Sequence, residues 1–238
     1  MKRNGRDDSR SRDPRLLPAY SLGEASHYLR IPYATLRSWI VGRTYPVKHG
    51  RGTFQPVIVP AQKAPPLLSF INLVEAHLLG AIRRKHEIAL PKVRAAVAYV
   101  RRQFGTEHPL AEQRMLTDGQ ELFVQKFGKL IAVSQAGQLA FLEVLKAHLE
   151  RIEWDEAGIA VRLFPFTRRL EGEEPKSIVI DPRISFGRPV LFGTGIATAV
   201  IAERFKAGES VDELAEDYGR NRLEIQDAIR CELALEAA

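Results

Sequence analysis

Residues 20–41 read YSLGEASHYLRIPYATLRSWIV, and this stretch decides how the N-terminal half of the chain folds. Ser21 precedes Glu24 at the spacing of a capping box. In that motif the serine hydroxyl accepts from the third helical amide, and the glutamate accepts back from the serine amide. The predicted helix carries Leu22, Ala25 and Leu29 on one face. Pro32 falls where a second helix would start, and its fixed φ suits a first turn. That second helix is expected from Tyr33 to Val41, with Leu36 and Ile40 inward, Thr35, Arg37 and Ser38 on other faces, and Gly42 ending it. Two short helices joined by a tight turn make a helix-turn-helix, whose second helix offers polar side chains to base edges.

Outward from this unit, residues 43–63 are rich in Gly, Pro and β-branched side chains. Phe54 and Val57-Ile58-Val59 are expected as short strands around the basic turn Lys48-His49-Gly50-Arg51-Gly52, a wing. Pro65-Pro66 closes the unit, giving a winged helix-turn-helix over residues 17–66. The candidate DNA-contacting side chains are Tyr33, Thr35, Arg37 and Ser38 on the helix, with Arg43, Lys48 and Arg51 on the wing clamping phosphates. The competing reading makes Arg37 a solvated surface charge. Tyr33 divides between packing and contact, and Trp39 is expected under the wing.

Charge agrees with a polyanion partner for this half. The chain of 238 residues has a net charge of +6, but residues 1–105 hold 19 Lys and Arg against 6 Asp and Glu, a balance of +13. Residues 106–238 hold 16 against 23, a balance of −7. A basic half joined to an acidic half implies one surface for nucleic acid and another for something else.

The rest of the chain reads as mostly α within an α+β class. Residues 1–16 have few apolar side chains and are expected to form a disordered basic arm. Residues 67–161 contain two amphipathic helices near 69–86 and 91–104, a small β element within 121–133, and a helix near 135–149. Residues 162–176 are charged and Pro-punctuated, a predicted linker. Residues 177–238 begin with a strand at Ile178-Val179-Ile180, ended by Asp181-Pro182, and continue through turns at Gly187, Gly193 and Gly195. Three helices follow near 194–207, 211–218 and 221–236. Ser210 with Glu213 repeats the capping-box spacing, and Ala215, Gly219 and Ile225 stand as in a second helix-turn-helix. Its first helix bears Asp212, Glu213, Glu216 and Asp217, which repel phosphate, so a protein interface is expected there rather than DNA.

Several classes are excluded or disfavoured. The one cysteine, Cys231, rules out an internal disulfide and a cysteine-built zinc site, and it fits a reducing cytosol. No run approaches the ~20 apolar residues a membrane helix needs, and the polar N-terminus is not a signal peptide, so a cytoplasmic location is expected. Gly193-Thr194-Gly195 is too short for a nucleotide loop, and the six histidines show no ligand pairing with carboxylates. No enzyme activity, catalytic residue, metal or cofactor is expected.

Residues 20–41 resemble the winged helix-turn-helix of MerR-type regulators through Glu24-Ala25 and Thr35-Leu36-Arg37-x-Trp39. Residues 178–235 resemble a small antitoxin domain formerly of unknown function, through Ile180-Asp181-Pro182, Gly187-Arg188-Pro189, Gly193-Thr194 and the acidic helix Val211 to Tyr218. The combination is similar to two-domain VapB-type antitoxins, whose partner is a PIN-domain ribonuclease toxin. The helices here are shorter than the dimerisation helix of MerR-type effector regulators, and no cysteine cluster follows, so metal sensing is not carried over. The resemblance implies an antitoxin that binds operator DNA as a homodimer and neutralises the toxin. Arginines that pair with the toxin's acidic site are sought at Arg168 and Arg169 in the linker and at Arg183 and Arg188 in the glycine-rich segment. Two alternatives stay open: a stand-alone regulator with a small-molecule effector, and an adaptor whose N-terminal unit binds protein.

Overall fold

The computed structural model describes residues 13–47, 50–84, 90–113, 143–168 and 174–233. The architecture is mixed α and β, mostly helical, with small antiparallel sheets. Strand β1 (Tyr20–Ser21) leads directly into helix α1 (Leu22–Leu29). The capping box forms as its spacing requires: Glu24 N donates to Ser21 Oγ at 3.2 Å, and Ser21 N donates to Glu24 Oε2 at 2.8 Å. Arg30 ends α1 in the left-handed region at φ 52, its N–H donating to His27 O. The chain then turns into α2 (Tyr33–Ile40), and Leu36, Trp39 and Ile40 are buried beneath it.

The wing is built differently from its expectation. Strand β2 (Arg43–Val47) pairs with β3 (Gly50–Phe54), so the hairpin closes one segment earlier than residues 57–59. Val57 and Ile58 are instead buried in irregular chain, where their amides both donate to Trp39 O. Two apolar side chains at consecutive positions point to opposite faces of a strand, and burying both is easier when the chain departs from a sheet. Strands β4 (Gln62–Lys63) and β5 (Pro66–Leu68) complete a sheet with β1, ordered β1-β5-β4.

Helix α3 (Phe70–Arg84) runs through the centre of the core, flanked by α4 (Leu90–Phe104). Phe70, Leu73, Val74 and Leu78 are each fully buried, at the periodicity their sequence spacing requires. Helix α5, described over residues 143–149, and the hairpin of β6 (Ile152–Trp154) with β7 (Ala160–Leu163) pack against them. One apolar cluster runs from Tyr20 to Ile180, so packing is continuous across residues 66–67, where a boundary was expected. The β element expected within 121–133 and the first half of the helix expected near 135–149 lie outside the described residues.

The stretch expected to be a linker begins inside the fold. Phe164, Phe166 and Thr167 are buried, and Leu163 exchanges backbone hydrogen bonds with Ile180. Arg151, itself buried, gathers the segment by donating to the carbonyls of Phe164 at 2.9 Å and Glu174 at 2.6 Å. Charge and proline suggest a solvated linker, but one buried arginine satisfies the bent backbone, which is what a buried irregular segment needs.

Beyond it, β8 (Ile178–Val179) pairs with β9 (Val190–Leu191). Helices α6 (Thr198–Lys206), α7 (Val211–Tyr218) and α8 (Arg222–Leu233) enclose a second core of Leu191, Ile201, Leu214, Ile225 and Ala228. Cys231 is buried there, and desolvation pushes its thiol up to about 12, so it packs as a small apolar group.

Candidate nucleic-acid interface

Helix α2 meets solvent through the side chains that its sequence pattern singles out. Tyr33 is 52% exposed at its first turn, Arg37 is exposed, and Thr35 and Ser38 are half-buried. Ser38 Oγ donates to Thr35 O at 2.7 Å, which fixes its rotamer and leaves its lone pairs free to accept. Trp39 is buried at 1% exposure, on the inward face of α2.

The wing stands beside this helix. Arg43 and Arg51 are exposed on opposite strands, while Lys48 lies outside the described residues. Tyr45 stands opposite Gly52 in the hairpin register and stacks on Phe54 at 4.3 Å between ring centroids. A Cβ on Gly52 would lie 2.6 Å from the Tyr45 ring, so the glycine is what lets that ring lie flat across the hairpin. Gly42, at φ 81, brings the end of α2 so close to the wing that a Cβ would sit 2.4 Å from Phe54 O. Arg94 of α4 donates to Gln55 O and ties the base of the wing to the helical core. These residues were not among the sequence candidates, although the pairing of Tyr45 with Phe54 was visible as two aromatics bracketing a glycine turn.

The electrostatics of this face follow from what its arginines lack. Among the described residues, Arg37, Arg43 and Arg51 have no ion-pair partner. An unneutralised guanidinium on a rigid surface is held ready for an external anion.

The C-terminal arginine candidates differ. Arg168 donates Nε and Nη2 to the two oxygens of Asp227, each at 3.2 Å. Arg183 donates Nε to Asp181 Oδ1 and Nη2 to Asp181 Oδ2, both at 3.0 Å. Arg188 pairs with Glu24 on α1. Arg168 and Arg188 thus each tie distant parts of the chain together, while Arg183 braces its own turn. Arg169 lies outside the described residues.

The C-terminal helices dock against α1. Tyr20 donates its hydroxyl to Gly187 O at 2.9 Å, and Arg30 donates to Arg230 O at 3.0 Å. His27 stands 3.7 Å from Glu232. Burial opposes the charge on Glu24, but the Ser21 amide and hydroxyl and then Arg188 outweigh it and hold its carboxyl below the usual range. Glu232 is likewise lowered, with burial outweighed by His27 and Thr198.

Comparison with known proteins agrees with this division. Residues 18–97 match the family described as "Putative DNA-binding HTH domain", and residues 178–230 match "Protein of unknown function (DUF433)". The chain is 29% identical over 229 residues to "Putative antitoxin VapB45" of Mycobacterium tuberculosis, covering 90% of this chain and 93% of that protein. It is 26% identical over 220 residues to the uncharacterized protein Rv2308 of the same organism, covering 88% of each. The crystal structure of Rv2018 from Mycobacterium tuberculosis superposes with a TM-score of 0.67 at 26% identity, covering 90% of this chain and 98% of that one. The resemblance to VapB-type antitoxins therefore extends along nearly the whole chain. Among the described residues no helix is long and apolar enough to cross a membrane.

Proposed function

We propose that the chain is the antitoxin of a toxin-antitoxin pair, binding its own operator through α2 and the β2–β3 wing and neutralising a PIN-domain ribonuclease. The observation that carries the DNA half is the set of exposed arginines, Arg37, Arg43 and Arg51, that have no ion-pair partner among the described residues, on one helix and its adjoining hairpin. In this reading Tyr33, Thr35, Arg37 and Ser38 face base edges and nearby phosphates, and Arg43, Lys48 and Arg51 grip the backbone. Two copies bind half-sites one helical turn apart, because a palindromic operator needs a two-fold protein. An operator titration across salt concentrations tests it: Arg37→Ala and Arg51→Ala should each weaken binding and lower the salt slope of log K by about 0.9 per lost phosphate contact. Unchanged affinity and slope in both variants would remove the DNA assignment.

The toxin half draws support from the named relative; in this reading Arg168, Arg169, Arg183 and Arg188 meet the acidic ribonuclease site, and Arg168, Arg183 and Arg188 exchange Asp227, Asp181 and Glu24 for the toxin's carboxylates. A ribonuclease assay with the full chain and a PIN-domain ribonuclease, should its gene neighbourhood encode one, measures neutralisation directly.

A second reading, a regulator with a small-molecule effector, is favoured by one feature. A cleft of about 550 Å³ opens between the N-terminal segment and the helical core, lined by Arg15, Leu16, Ile71, Phe104, His108 and Ile159. A metabolite that changes operator affinity in the absence of any toxin would select this reading.

A further inference from the structure

Helix α4 lies outside the helix-turn-helix, yet it carries a cation to the foot of the wing. Arg94 donates Nη2 to the carbonyl of Gln55, the residue after β3. In the hairpin register Phe54 stands opposite Arg43, so Arg94 arrives at the same end of the ribbon as Arg43. Arg51 stands opposite Pro46, three positions further along, about 10 Å away at the ~3.4 Å rise of a strand. Alternation sets Arg43 and Arg51 on opposite faces, so the described wing presents one arginine to each.

Arg94 is poorly compensated where it stands. It is half-buried, its Nε is shielded from water without an acceptor, and among the described residues it has no ion-pair partner. Burial lowers its pKa, and no charged neighbour opposes that shift. Taking a guanidinium partly out of water costs free energy that an opposite charge repays and a single carbonyl does not. The Gln55 carbonyl leaves most of its N–H donors unengaged. A neutral amide could brace the same carbonyl without that cost, so bracing alone does not account for a cation here.

The surroundings select the missing anion. Residues 25–74 and 88–106 contain no Asp or Glu. Those stretches hold α2, both strands of the wing, the return through β4 and β5, and all of α4. The carboxylate that follows the first stretch, Glu75 on α3, is buried and accepts from Asn72 Nδ2 at 3.0 Å. The elements that meet at the foot of the wing therefore offer charge of one sign. Such a surface fits a phosphodiester backbone, whose repeating charge is all of the other sign. The acidic half of a second copy also carries that sign. Docked here, however, it would cover the end of the hairpin that holds Arg43, where the operator is read to lie.

We infer that Arg94 is a phosphate contact of the operator, which extends the DNA-binding face from the helix-turn-helix onto α4. This rests on the DNA reading above and adds a contact to it. The guanidinium grips a phosphate at the Arg43 end of the wing, separate from the one that Arg51 meets. Its bond to Gln55 O holds the foot of the wing in place for the same strand. A phosphate contact positions the protein without reading sequence, so Arg94 contributes affinity and register rather than base choice.

The test titrates the full chain with duplex DNA carrying its own promoter across a range of salt concentrations. Arg94→Gln removes the charge and keeps an N–H for Gln55 O. It should weaken binding and lower the salt slope of log K by about 0.9, the value for one phosphate contact. Arg94→Lys keeps the charge and should hold the parent slope. The slope is insensitive to a constant loss of folded protein, so destabilisation does not imitate the effect. Weaker binding at an unchanged slope in Arg94→Gln would make Arg94 a brace and overturn the contact. Parent affinity and slope in Arg94→Gln, while Arg37→Ala still lowers the slope, would overturn it too and leave the DNA reading standing. A parent chain whose binding does not depend on salt overturns both. Loss of self-association in Arg94→Gln during sedimentation, with DNA binding unchanged, would give this face to a second copy and refute the assignment.

Discussion

Two helix-turn-helix units occupy the ends of this chain, and locally they are nearly the same object. Each first helix opens on a serine-glutamate capping box, Ser21 with Glu24 and Ser210 with Glu213. Each closes on a left-handed cap, Arg30 at φ 52 and Gly219 at φ 59. Their second helices have opposite fates. Helix α2 lies open, and its Arg37, like Arg43 and Arg51 on the wing, has no ion-pair partner among the described residues. Helix α8 is packed on α6 and α1, and its arginines are engaged: Arg222 with Asp212, Arg230 with Asp227, and Arg220 just before the helix with Glu224. The acidic first helix of the C-terminal pair supplies one of those partners. The same backbone motif leaves its arginine exposed in one place and pairs its arginines internally in the other, and local charge selects between them.

The comparison can be broken most forcefully at its cores. Trp39→Ala beneath α2 should cost about 3–5 kcal/mol, the range for truncating a buried aromatic, and abolish operator binding. Leu214→Ala beneath α7 should cost about 2–5 kcal/mol and leave operator affinity intact wherever the protein remains folded. Thermal unfolding with an operator titration separates the two. If Leu214→Ala costs operator affinity as heavily as Trp39→Ala, the ends are not functionally distinct.

Acid titration tests the contact between the ends. Glu24, Asp181 and Glu232 are all lowered, each with burial outweighed by hydrogen bonds and opposite charges. Their contribution is present above the ordinary carboxylate range and is lost as pH falls through their lowered folded-state values. His108 behaves in the opposite sense. Burial disfavours its charge, but Glu75, 3.3 Å away, raises its pKa, so its contribution is full below about 6.5 and fades as pH rises through the raised value. The Tm should therefore fall on both sides of a maximum, and replacing Glu24 with Gln should flatten only the acid limb.

The capping boxes give a smaller and sharper contrast. Ser21→Ala and Ser210→Ala should each cost about 1 kcal/mol. Only Ser21→Ala should also weaken operator binding, because α1 sets the height and angle of α2. The finest test is a single charge: Arg37→Ala should lower the salt slope, while Arg222→Ala, already paired with Asp212, should leave it unchanged.

Much of the candidate site is legible in the amino-acid order. Helix starts at Ser21 and Ser210 follow from residues three positions apart, and the buried face of α3 follows from its periodicity. The wing lies one segment earlier than strand propensity implies. Val57 and Ile58 satisfy that propensity equally well, but they lose their place in the hairpin to Trp39, whose carbonyl takes both amides. The linker expected over residues 162–176 departs from its composition at its start, because nothing in that composition reveals Arg151 reaching in to bind its carbonyls.

What the amino-acid order determined alone was whatever depends on near neighbours: caps, helix faces, the split between a basic and an acidic half, and the motifs that resemble a MerR-type regulator at one end and an antitoxin domain at the other. What required the folded molecule was which charges remain available. Arg37 and Arg188 look alike in the sequence, yet Arg188 is committed to Glu24, 164 positions away, while Arg37 has no such partner among the described residues. Ion pairing falls off within a few ångströms, so only the meeting of distant segments decides whether a charge is spent inside the protein or kept for a partner.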